Sequence, residues 1–562
     1  MRHRKIALFP LLLILLPILS IAQTVVRGPY LQTAAPDSII VKWRTDIATD
    51  SAVGYSLVDG VPASVATPAL TTEHEVTLTS LSPDTVYNYT VGSSAQVLAG
   101  GDLNSNGDGE HFFTTSPLAG VDKATRVWII GDSGTADANA VAVRDAYKAF
   151  TGNRATDVWL MLGDNAYRSG TDSEYQAAVF DIYPQLLRQT PLWSALGNHD
   201  AIDMIFNSPG AYPQIFSFPT AGESGGVASN SENYYSFDYG NIHFISLDSS
   251  INANRSAGSD MWSWLEADLI ANNRSWTIAF WHHPHYSKGS HDSDAEIALQ
   301  EMRQNALPLL EAHGVDLILT GHSHSYERSF LLDGHHGQSA SLTSAMILNG
   351  GDGRELGDGP YIKPGSAGTP NEGAVHAVVG SSGKTEAGGA LDHPVMYTSM
   401  LTLGSMVLDI SGRQLDAAFI DTNGVVLDEF TIIKSPPQTV GIDVQPWDAT
   451  NSVRPAAANL IPVAVLGASI GAGDAADFDA SMVDPATVRL GIGNAPNSAV
   501  PWIGDIDGDS DMDAIYGFNA QDAAILCGDT EVSLEGETID GEAFIGTNTI
   551  VTADCENLGC HP

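Results

Sequence analysis

The amino-acid sequence predicts a central α/β domain that lies between an N-terminal β-sandwich and a C-terminal β-rich module. Three observations predict this architecture: the chain has 562 residues, its central region alternates strand and helix patterns, and the regions on either side carry mainly strand patterns. A chain this long exceeds what one hydrophobic core usually organises, so we expect about three folded units. The predicted boundaries are 23–117, 122–434 and 440–562.

The first 22 residues have the pattern of a secretory signal peptide. Basic residues at positions 2–5 precede an apolar stretch that ends near Ile21 and Ala22, a small-residue cleavage pattern. The alternative is a membrane anchor, but the stretch is short for a membrane span and no other segment is long and apolar enough. We therefore expect a secreted or periplasmic protein, cleaved after about Ala22.

Composition narrows the class of partner. The chain is 43% hydrophobic and 16% charged, as is usual for a globular protein, and its formal net charge is −42. Such an acidic chain repels nucleic acid and anionic membranes, so neither is an expected partner. A phosphate group can still bind where metal cations reverse the local field.

The three cysteines all lie near the C-terminus. Export implies an oxidising compartment, so a disulfide is expected, and Cys527 with Cys555 is the preferred pair. Cys560 is too close to Cys555 to close a useful loop and is left over.

The first unit has short alternating strands at 38–43, 73–78 and 86–91 with turn residues between them, which predicts a small β-sandwich. In the second unit, buried strands are predicted at 127–130, 158–162, 192–196, 242–247, 277–281 and 317–319. Helices are predicted between them at 139–150, 174–188, 261–272 and 296–312. We expect the strands within 406–433 to complete a second sheet of this domain.

Metal-ligand residue types follow five of these strands. They are Asp132, Asp164, Asn198 with His199, His282, and His322 with His324. A parallel sheet brings the carboxyl ends of its strands to one edge, so these side chains are expected to converge on a metal site. A glycine beside most of them lets the backbone turn off the strand and approach the ion.

The same residues form five sequence blocks: Asp-x-Gly at Asp132, Gly-Asp-x-x-Tyr ending at Tyr167, Gly-Asn-His-Asp around Asn198, a histidine after a strand, and Gly-His-x-His ending at His324. In this order they resemble the purple acid phosphatases of the calcineurin-like metallophosphoesterase superfamily. The resemblance covers about residues 25–434, including an opening at 27–32 similar to the fibronectin III-like domain that precedes many catalytic domains of the family. It implies a two-sheet αββα sandwich for the catalytic domain.

The resemblance also implies two metal-binding sets. One ion would be held by Asp132, Asp164, Tyr167 and His324, and the other by Asp164, Asn198, His282 and His322, with Asp164 bridging. A phenolate and carboxylates suit Fe(III), whereas histidines and an amide suit a divalent ion such as Zn, Mn or Fe(II). His283 is the alternative to His282, because neighbouring residues on an extended segment face opposite ways.

His199 resembles the family histidine that faces the leaving group, and leaving-group protonation or transition-state hydrogen bonding is its implied role. The alternative is an orienting role beside a ligand, the role expected of Asp200. His291 is either a further substrate-contacting histidine or a surface loop residue.

The predicted function is a secreted dinuclear-metal phosphatase that hydrolyses small phosphate monoesters by attack of metal-activated hydroxide. A phosphodiesterase or nucleotidase on the same site, and a catalytically inert extracellular binding protein, are the alternatives. The sequence leaves the physiological substrate, the pH optimum and the oligomeric state open.

The C-terminal module contains a run of alternating carboxylates that predicts a calcium loop. Its members are Asp505, Asp507, Asp509, Asp511 and Asp513. Carboxylates at this density repel one another unless a cation binds, and calcium is the natural ion for such oxygen ligands. A solvated acidic turn is the alternative.

Overall fold

The computed structural model of the protein describes residues 23–363, 369–457, 460–471, 474, 476–539 and 542–555. The predicted signal peptide and Cys560 lie outside these residues. Within them, no helix is both long enough and apolar enough to cross a lipid bilayer.

Six strands form the N-terminal β-domain. They are β1 (Val25–Gln32), β2 (Ile39–Leu57), β3 (Ala63–Leu78), β4 (Val86–Ser93), β5 (Gln96–Ala99) and β6 (Phe112–Thr114). The first half of the long strand β2 pairs with β1 and its second half pairs with β4. The strands enclose a core that includes Trp43, Tyr89 and Phe113, all buried.

The catalytic domain contains sixteen strands and nine α-helices among the residues described. The strands are β7 (Thr125–Ile130), β8 (Val158–Met161), β9 (Leu192–Ser194), β10 (Tyr235–Tyr239), β11 (Ile242–Ser246), β12 (Trp276–Trp281), β13 (Leu317–Thr320), β14 (Tyr326–Ser329), β15 (Leu331–Leu332), β16 (Ile347–Asn349), β17 (Tyr361–Lys363), β18 (Val375–Val379), β19 (Met396–Met400), β20 (Gly404–Ser411), β21 (Gln414–Asp421) and β22 (Val426–Lys434). The helices are α1 (Ala138–Thr151), α2 (Asp172–Tyr175), α3 (Pro184–Gln189), α4 (Asn198–Phe206), α5 (Tyr212–Ile215), α6 (Asn252–Arg255), α7 (Asp260–Ala271), α8 (Ile297–Asn305) and α9 (Leu307–Ala312).

Two seven-stranded sheets form the centre of this domain. The first has the order β17-β22-β21-β20-β7-β8-β9 and the second the order β10-β11-β12-β13-β18-β14-β19. Strands β7, β8 and β9 are parallel, as are β11, β12, β13 and β18. Their continuous apolar runs follow from burial on both faces, as expected for parallel strands covered by helices.

The two sheets pack face to face. Tyr326 of β14 stacks on Phe419 of β21 with ring centroids 4.0 Å apart, and Trp193 of β9 stacks on Phe237 of β10 at 3.7 Å. Helix α1 covers the outer face of the first sheet, and helices α7 to α9 share a buried cluster with the second. The predicted αββα arrangement is therefore confirmed.

Two details of the sequence prediction were wrong. The strands within 406–433 join β7, β8 and β9 in the first sheet, because β20 pairs with β7 and not with β18 or β19, which come directly before it in the chain. The helices predicted at 174–188 and 296–312 are each broken, the first before Pro184 and the second before Pro308. Proline lacks the backbone N–H that a helix interior requires.

The C-terminal module has its own hydrophobic core, formed around Val463, Tyr516, Leu534 and Phe544. Its strands are β23 (Gln438–Thr439), β24 (Ile442–Val444), β25 (Ser452–Val453), β26 (Leu460–Val465), β27 (Arg489–Leu490), β28 (Ala495–Pro496), β29 (Trp502–Gly504), β30 (Asp513–Asn519), β31 (Glu531–Glu537), β32 (Ala543–Thr549) and β33 (Val551–Thr552). Cys527 and Cys555 form a disulfide with their Cα atoms 5.8 Å apart, which is the expected pairing.

Candidate metal centre

The five predicted segments meet where the ends of both sheets come together. Asp132 follows β7, Asp164 follows β8 and Asn198 begins α4 just after β9, all in the first sheet. His282 follows β12, and His322 and His324 follow β13, in the second sheet. The expectation of a single sheet edge is therefore replaced by a junction between two sheets.

One group of donor atoms comes from Asp132, Tyr167 and His324. The Tyr167 hydroxyl lies 3.0 Å from Asp132 Oδ1 and 3.3 Å from His324 Nε2, and His324 Nε2 lies 3.4 Å from Asp132 Oδ1. Ligands of one ion, each about 2.0–2.2 Å from it, are spaced like this.

A second group surrounds His282. Its Nε2 lies 2.9 Å from Asn198 Oδ1, 3.1 Å from His322 Nδ1 and 3.4 Å from Asp164 Oδ1. Asp132, Asp164 and His282 also each offer a donor atom within 4.8 Å of one another. Asp164 therefore lies between the two groups.

The chemistry of the site fits bound cations. Asp132 and Asp164 are both almost fully buried, and neither forms a salt bridge with Lys or Arg in the part of the chain that the structure describes. Buried charges are normally paired or bind metal ions. Burial, together with these two carboxylates, raises the pKa of Tyr167 well above its usual value, whereas nearby cations would favour the phenolate.

The backbone turns sharply at three of these residues. Asp132, Asp164 and His322 adopt left-handed conformations with φ of 55°, 53° and 66°. Residues other than glycine rarely adopt this region, and such strain concentrates at functional sites. Gly197, which precedes Asn198, is needed for a different reason: it lets the backbone pass close to Asp164. A Cβ at Gly197 would lie 2.3 Å from Asp164 Oδ1.

The three candidate ligand histidines each have a partner on the opposite ring nitrogen. His282 Nδ1 donates to the Leu162 carbonyl at 2.9 Å, and His324 Nδ1 lies 3.0 Å from Glu386. His322 Nε2 lies 3.7 Å from Glu296. Such partners fix the ring orientation and tautomer of a metal ligand.

Sequence reasoning missed Glu296 and Glu386. Glu296 precedes α8 and Glu386 lies in an irregular glycine-containing segment, so no local pattern marks either one. Burial opposes ionisation of Glu296, but hydrogen bonds and charge from His322 and His291 lower its pKa to about 2.

His283, the alternative ligand, is engaged elsewhere. Its Nδ1 lies 2.9 Å from Ser249 Oγ, and its ring packs against His322 with centroids 4.3 Å apart. One donor atom of His283 still lies within 4.8 Å of donor atoms of His282 and His322. His282 in addition contacts Asn198 and Asp164, which makes it the better placed of the two.

Asp200 is buried directly beneath the site. Its carboxylate accepts hydrogen bonds from the backbone N–H groups of Asn165 and Gly197 and from the Tyr175 hydroxyl. These contacts join the turn that carries Asp164 to the turn that carries Asn198. Burial, and then the charge of Asp164, raise the pKa of Asp200 to about 6.

His199 and His291 both lie at the open side of the centre. The ring of His199 meets the edge of the Tyr167 ring with centroids 4.7 Å apart, and its Nε2 is 3.9 Å from Asp164 Oδ2. His291 stacks on His322 at 3.7 Å, while its Nδ1 binds Glu296 at 2.9 Å. His291 is thus beside the candidate metal ligands and not on a remote loop.

The acidic run of the C-terminal module forms an exposed loop. Asp505, Asp507 and Asp509 make one group of neighbouring carboxylates, and Asp474, which the sequence reasoning missed, makes another with Asp509 and Asp511. Asp513 is buried and accepts hydrogen bonds from the backbone of Gly467 and Ile506, so it does not face these groups.

The double sheet and the two donor groups at its end define a metallophosphoesterase fold. Family models match two parts of the chain: the calcineurin-like phosphoesterase model matches residues 125–326, and the purple acid phosphatase N-terminal domain model matches residues 27–115. The chain therefore contains a calcineurin-like phosphoesterase domain preceded by a purple acid phosphatase N-terminal domain.

Curated relatives agree with these matches. Purple acid phosphatase 15 of Arabidopsis thaliana is 30% identical over 284 residues, which is 46% of this chain and 49% of that protein. Human acid phosphatase type 7 is 27% identical over 384 residues, which is 62% of this chain and 76% of that protein. This chain spans about half the length of the Arabidopsis relative.

A solved purple acid phosphatase from yellow lupin (Lupinus luteus) seeds shares the fold. It superposes with a TM-score of 0.55 at 18% sequence identity and covers 73% of this chain and 75% of its own.

Proposed function

We propose that this protein is an exported dinuclear-metal phosphatase that hydrolyses phosphate monoesters. One observation carries the proposal: two buried carboxylates and five further donor residues from both sheets converge in two groups whose neighbouring atoms are 2.9–3.4 Å apart. Export is supported by the basic and apolar pattern of residues 1–22.

In this proposal, Asp132, Asp164, Tyr167 and His324 hold Fe(III). Asp164, Asn198, His282 and His322 hold a divalent ion such as Zn, Mn or Fe(II). A bound pair of ions supplies a hydroxide nucleophile and neutralises charge on the phosphate. Burial and the neighbouring histidines lower the pKa of His322 to about 4, which favours the neutral form that binds metal.

His199 is the proposed proton carrier for the leaving group. Its Nδ1 lies 2.6 Å from the Arg168 carbonyl, which can only accept, so that nitrogen carries a hydrogen. The Nε2 atom then faces the centre, and when the ring is an imidazolium it carries a second proton that it can deliver to the departing oxygen. His291, whose Nδ1 is held by Glu296, is proposed to contact a phosphate oxygen.

Calcium remains the ion that we propose for the acidic loop at 505–513, with Asp474 as an additional ligand. The two groups of close carboxylates support it, and the position of Asp513 argues for a set of ligands without that residue.

A panel of esters tests the proposed activity. The purified protein, with its metals quantified, is expected to hydrolyse aryl and alkyl phosphate monoesters faster than bis-aryl phosphodiesters and nucleotides. A preference for diesters or nucleotides would contradict the monoesterase proposal and support a phosphodiesterase or a nucleotidase. A metal-loaded protein inactive on all of them would contradict a catalytic role.

Replacing Tyr167 by phenylalanine tests the purple subclass. Phenolate bound to Fe(III) gives a visible charge-transfer band, so we expect a coloured protein that Tyr167→Phe bleaches while the fold, followed by circular dichroism, persists. Tyr55→Phe, in the N-terminal β-domain, is the matched control and should keep the colour. A colourless, iron-free and fully active protein would exclude the Fe(III) assignment.

A further inference from the structure

A continuous series of contacts connects the N-terminal β-domain to His199. It starts at Arg27 on β1 and Arg44 on β2, passes through Asp172 at the start of α2, and ends at the Arg168 carbonyl that binds the His199 ring. Neither arginine touches the candidate metal ligands. The contacts nevertheless lead to the one ring whose orientation matters for leaving-group protonation.

The first step joins the two domains through charge-assisted hydrogen bonds. Arg44 binds both carboxylate oxygens of Asp172, at 2.7 and 2.8 Å, in a fork geometry. Arg27 is only 3% exposed and donates to Asp172 Oδ1 at 2.7 Å, to the Asp172 carbonyl at 3.1 Å and to Gln176 Oε1 at 2.7 Å. Its guanidinium also lies 4.6 Å above the Phe180 ring. Planar, bidentate contacts of this kind fix position as well as adding energy.

The second step lies within the segment between Tyr167 and α2. The Glu174 carboxylate, on the same short helix as Asp172, accepts hydrogen bonds from the backbone N–H groups of Arg168 at 2.7 Å, Ser169 at 3.1 Å and Thr171 at 2.9 Å. One side chain thus holds most of the segment. A shift of α2 would be transmitted directly to the Arg168 peptide.

The third step reaches α4, the helix that begins with Asn198. The Asp203 N–H donates to the Ser169 carbonyl at 2.9 Å, and a Cβ at Gly170 would lie 2.7 Å from the Asp200 backbone. The Arg168 carbonyl binds His199 Nδ1 at 2.6 Å. The segment and α4 are therefore packed closely enough that displacing one rotates the His199 ring or breaks its hydrogen bond.

We propose that the N-terminal β-domain is a positioning element for His199 and that Arg27 is its principal positioning residue. The inference rests on the proposed function, in which His199 protonates the leaving group. Through Asp172 and Glu174, Arg27 keeps the Arg168 carbonyl in place, and this fixes the tautomer and direction of the His199 ring. None of the proposed metal ligands makes one of these contacts, but Tyr167 and Asn198 adjoin the segment and α4, so the metal content is measured together with the rates.

The test compares two esters that differ in their need for a proton donor. An alkyl phosphate has a poor leaving group and depends on protonation, whereas p-nitrophenyl phosphate does not. Arg27→Ala is expected to lower kcat for the alkyl ester by about tenfold, part of the 10²–10⁴ that general acid catalysis supplies, and to leave kcat for the aryl ester nearly unchanged. The metal content should equal that of the unmodified protein.

Two further variants make the result decisive. Glu110→Gln removes a different ion pair between the two domains, the one that Glu110 forms with Arg188 of α3 at 2.9 Å. This ion pair is not part of the contacts that lead to His199, so the variant should leave the ratio of the two rates unchanged. Arg44→Ala breaks two hydrogen bonds to the same Asp172 carboxylate from a more exposed position, and should shift the ratio in the direction of Arg27→Ala if that variant does not fold.

His199→Ala separates failure of this inference from failure of the proposed role. A His199→Ala variant that lowers only the rate on the alkyl ester supports the role of His199 as the proton donor. If the arginine variants then lower the rates on both esters equally, or lower neither rate, the positioning inference is overturned while the role of His199 stands. If His199→Ala lowers both rates equally, His199 is not the leaving-group donor and both proposals fall.

Discussion

Asp164→Ala is expected to abolish phosphate monoester hydrolysis and to reduce bound metal from two ions per chain to at most one. The Asp164 carboxylate lies between the two donor groups. Its Oδ1 is 3.4 Å from His282 Nε2, and donor atoms of Asp164, Asp132 and His282 lie within 4.8 Å of one another. A carboxylate has two oxygens and can serve two cations. Groups that only orient a ligand cost 10–100-fold when removed, so loss of a shared ligand should lower kcat by more than about 100-fold.

The measurement is kcat for p-nitrophenyl phosphate together with metal content by elemental analysis. Asp145→Ala, an exposed position on α1, is the matched control and should retain both. Circular dichroism checks that the variant folds, because Asp164 also accepts a hydrogen bond from the His199 backbone N–H at 2.9 Å. Unchanged turnover in folded Asp164→Ala would remove the dinuclear assignment.

Acidification is expected to destabilise the catalytic domain steeply, because four histidines are buried together around Tyr286. The rings of His285, His335, His376 and His393 lie 4.6–5.4 Å from the Tyr286 ring, centroid to centroid. Among the residues described, both ring nitrogens of His335 and one each of the other three have no hydrogen-bond partner. A proton added to any of these rings would be a buried charge without a compensating carboxylate contact.

Burial is the main cause that lowers the pKa of each of them. It lowers the pKa of His335 to about 4 and that of His376 and His393 to about 3, and it takes His285 well below 6.5. Between these values and the unfolded pKa of about 6.5, the unfolded chain binds more protons than the folded one. The stability is therefore complete above pH 6.5 and is lost as the pH falls toward 4 and 3.

Each such histidine contributes a slope of about 1.4 kcal/mol per pH unit in that window. Urea unfolding at pH 7.5, 6 and 5 measures it, with the metals removed so that only folding is followed. His335→Phe keeps the stack on Tyr286 but cannot bind a proton. It should therefore reduce the slope by the contribution of one histidine, about 1.4 kcal/mol per pH unit. A free energy of unfolding that stays constant from pH 7.5 to 5 would contradict this account.

Residues that follow a strand were the part of the site that local sequence could predict. His282 comes directly after an apolar run that is long enough for a strand and too short for a helix, and Asp132 and Asp164 each come one glycine after such a run. Because backbone direction and side-chain type are both local, the strand ends could be identified and their convergence inferred. Parallel strand order brings the ends together within each sheet, and the packing of the two sheets then joins the two sets of residues.

Partners supplied by distant loops could not be predicted in this way. Glu296 and Glu386 reach His322 and His324 only because the segments that carry them fold back over the site. The contact from Arg27 to Asp172 spans 145 residues and joins two domains, and nothing near either residue in the sequence indicates the other. The same holds for β20, which pairs with β7 across most of the catalytic domain.

The sequence alone determined the residue types at the strand ends and the alternation of strands and helices, because these depend on local polarity and periodicity. The tertiary structure alone decided which sheet each strand joins, which carboxylate lies behind each histidine and how the N-terminal β-domain reaches His199. Those features depend on packing between segments far apart in the chain, where many pairings satisfy the local pattern and only close-packing of the whole domain selects one.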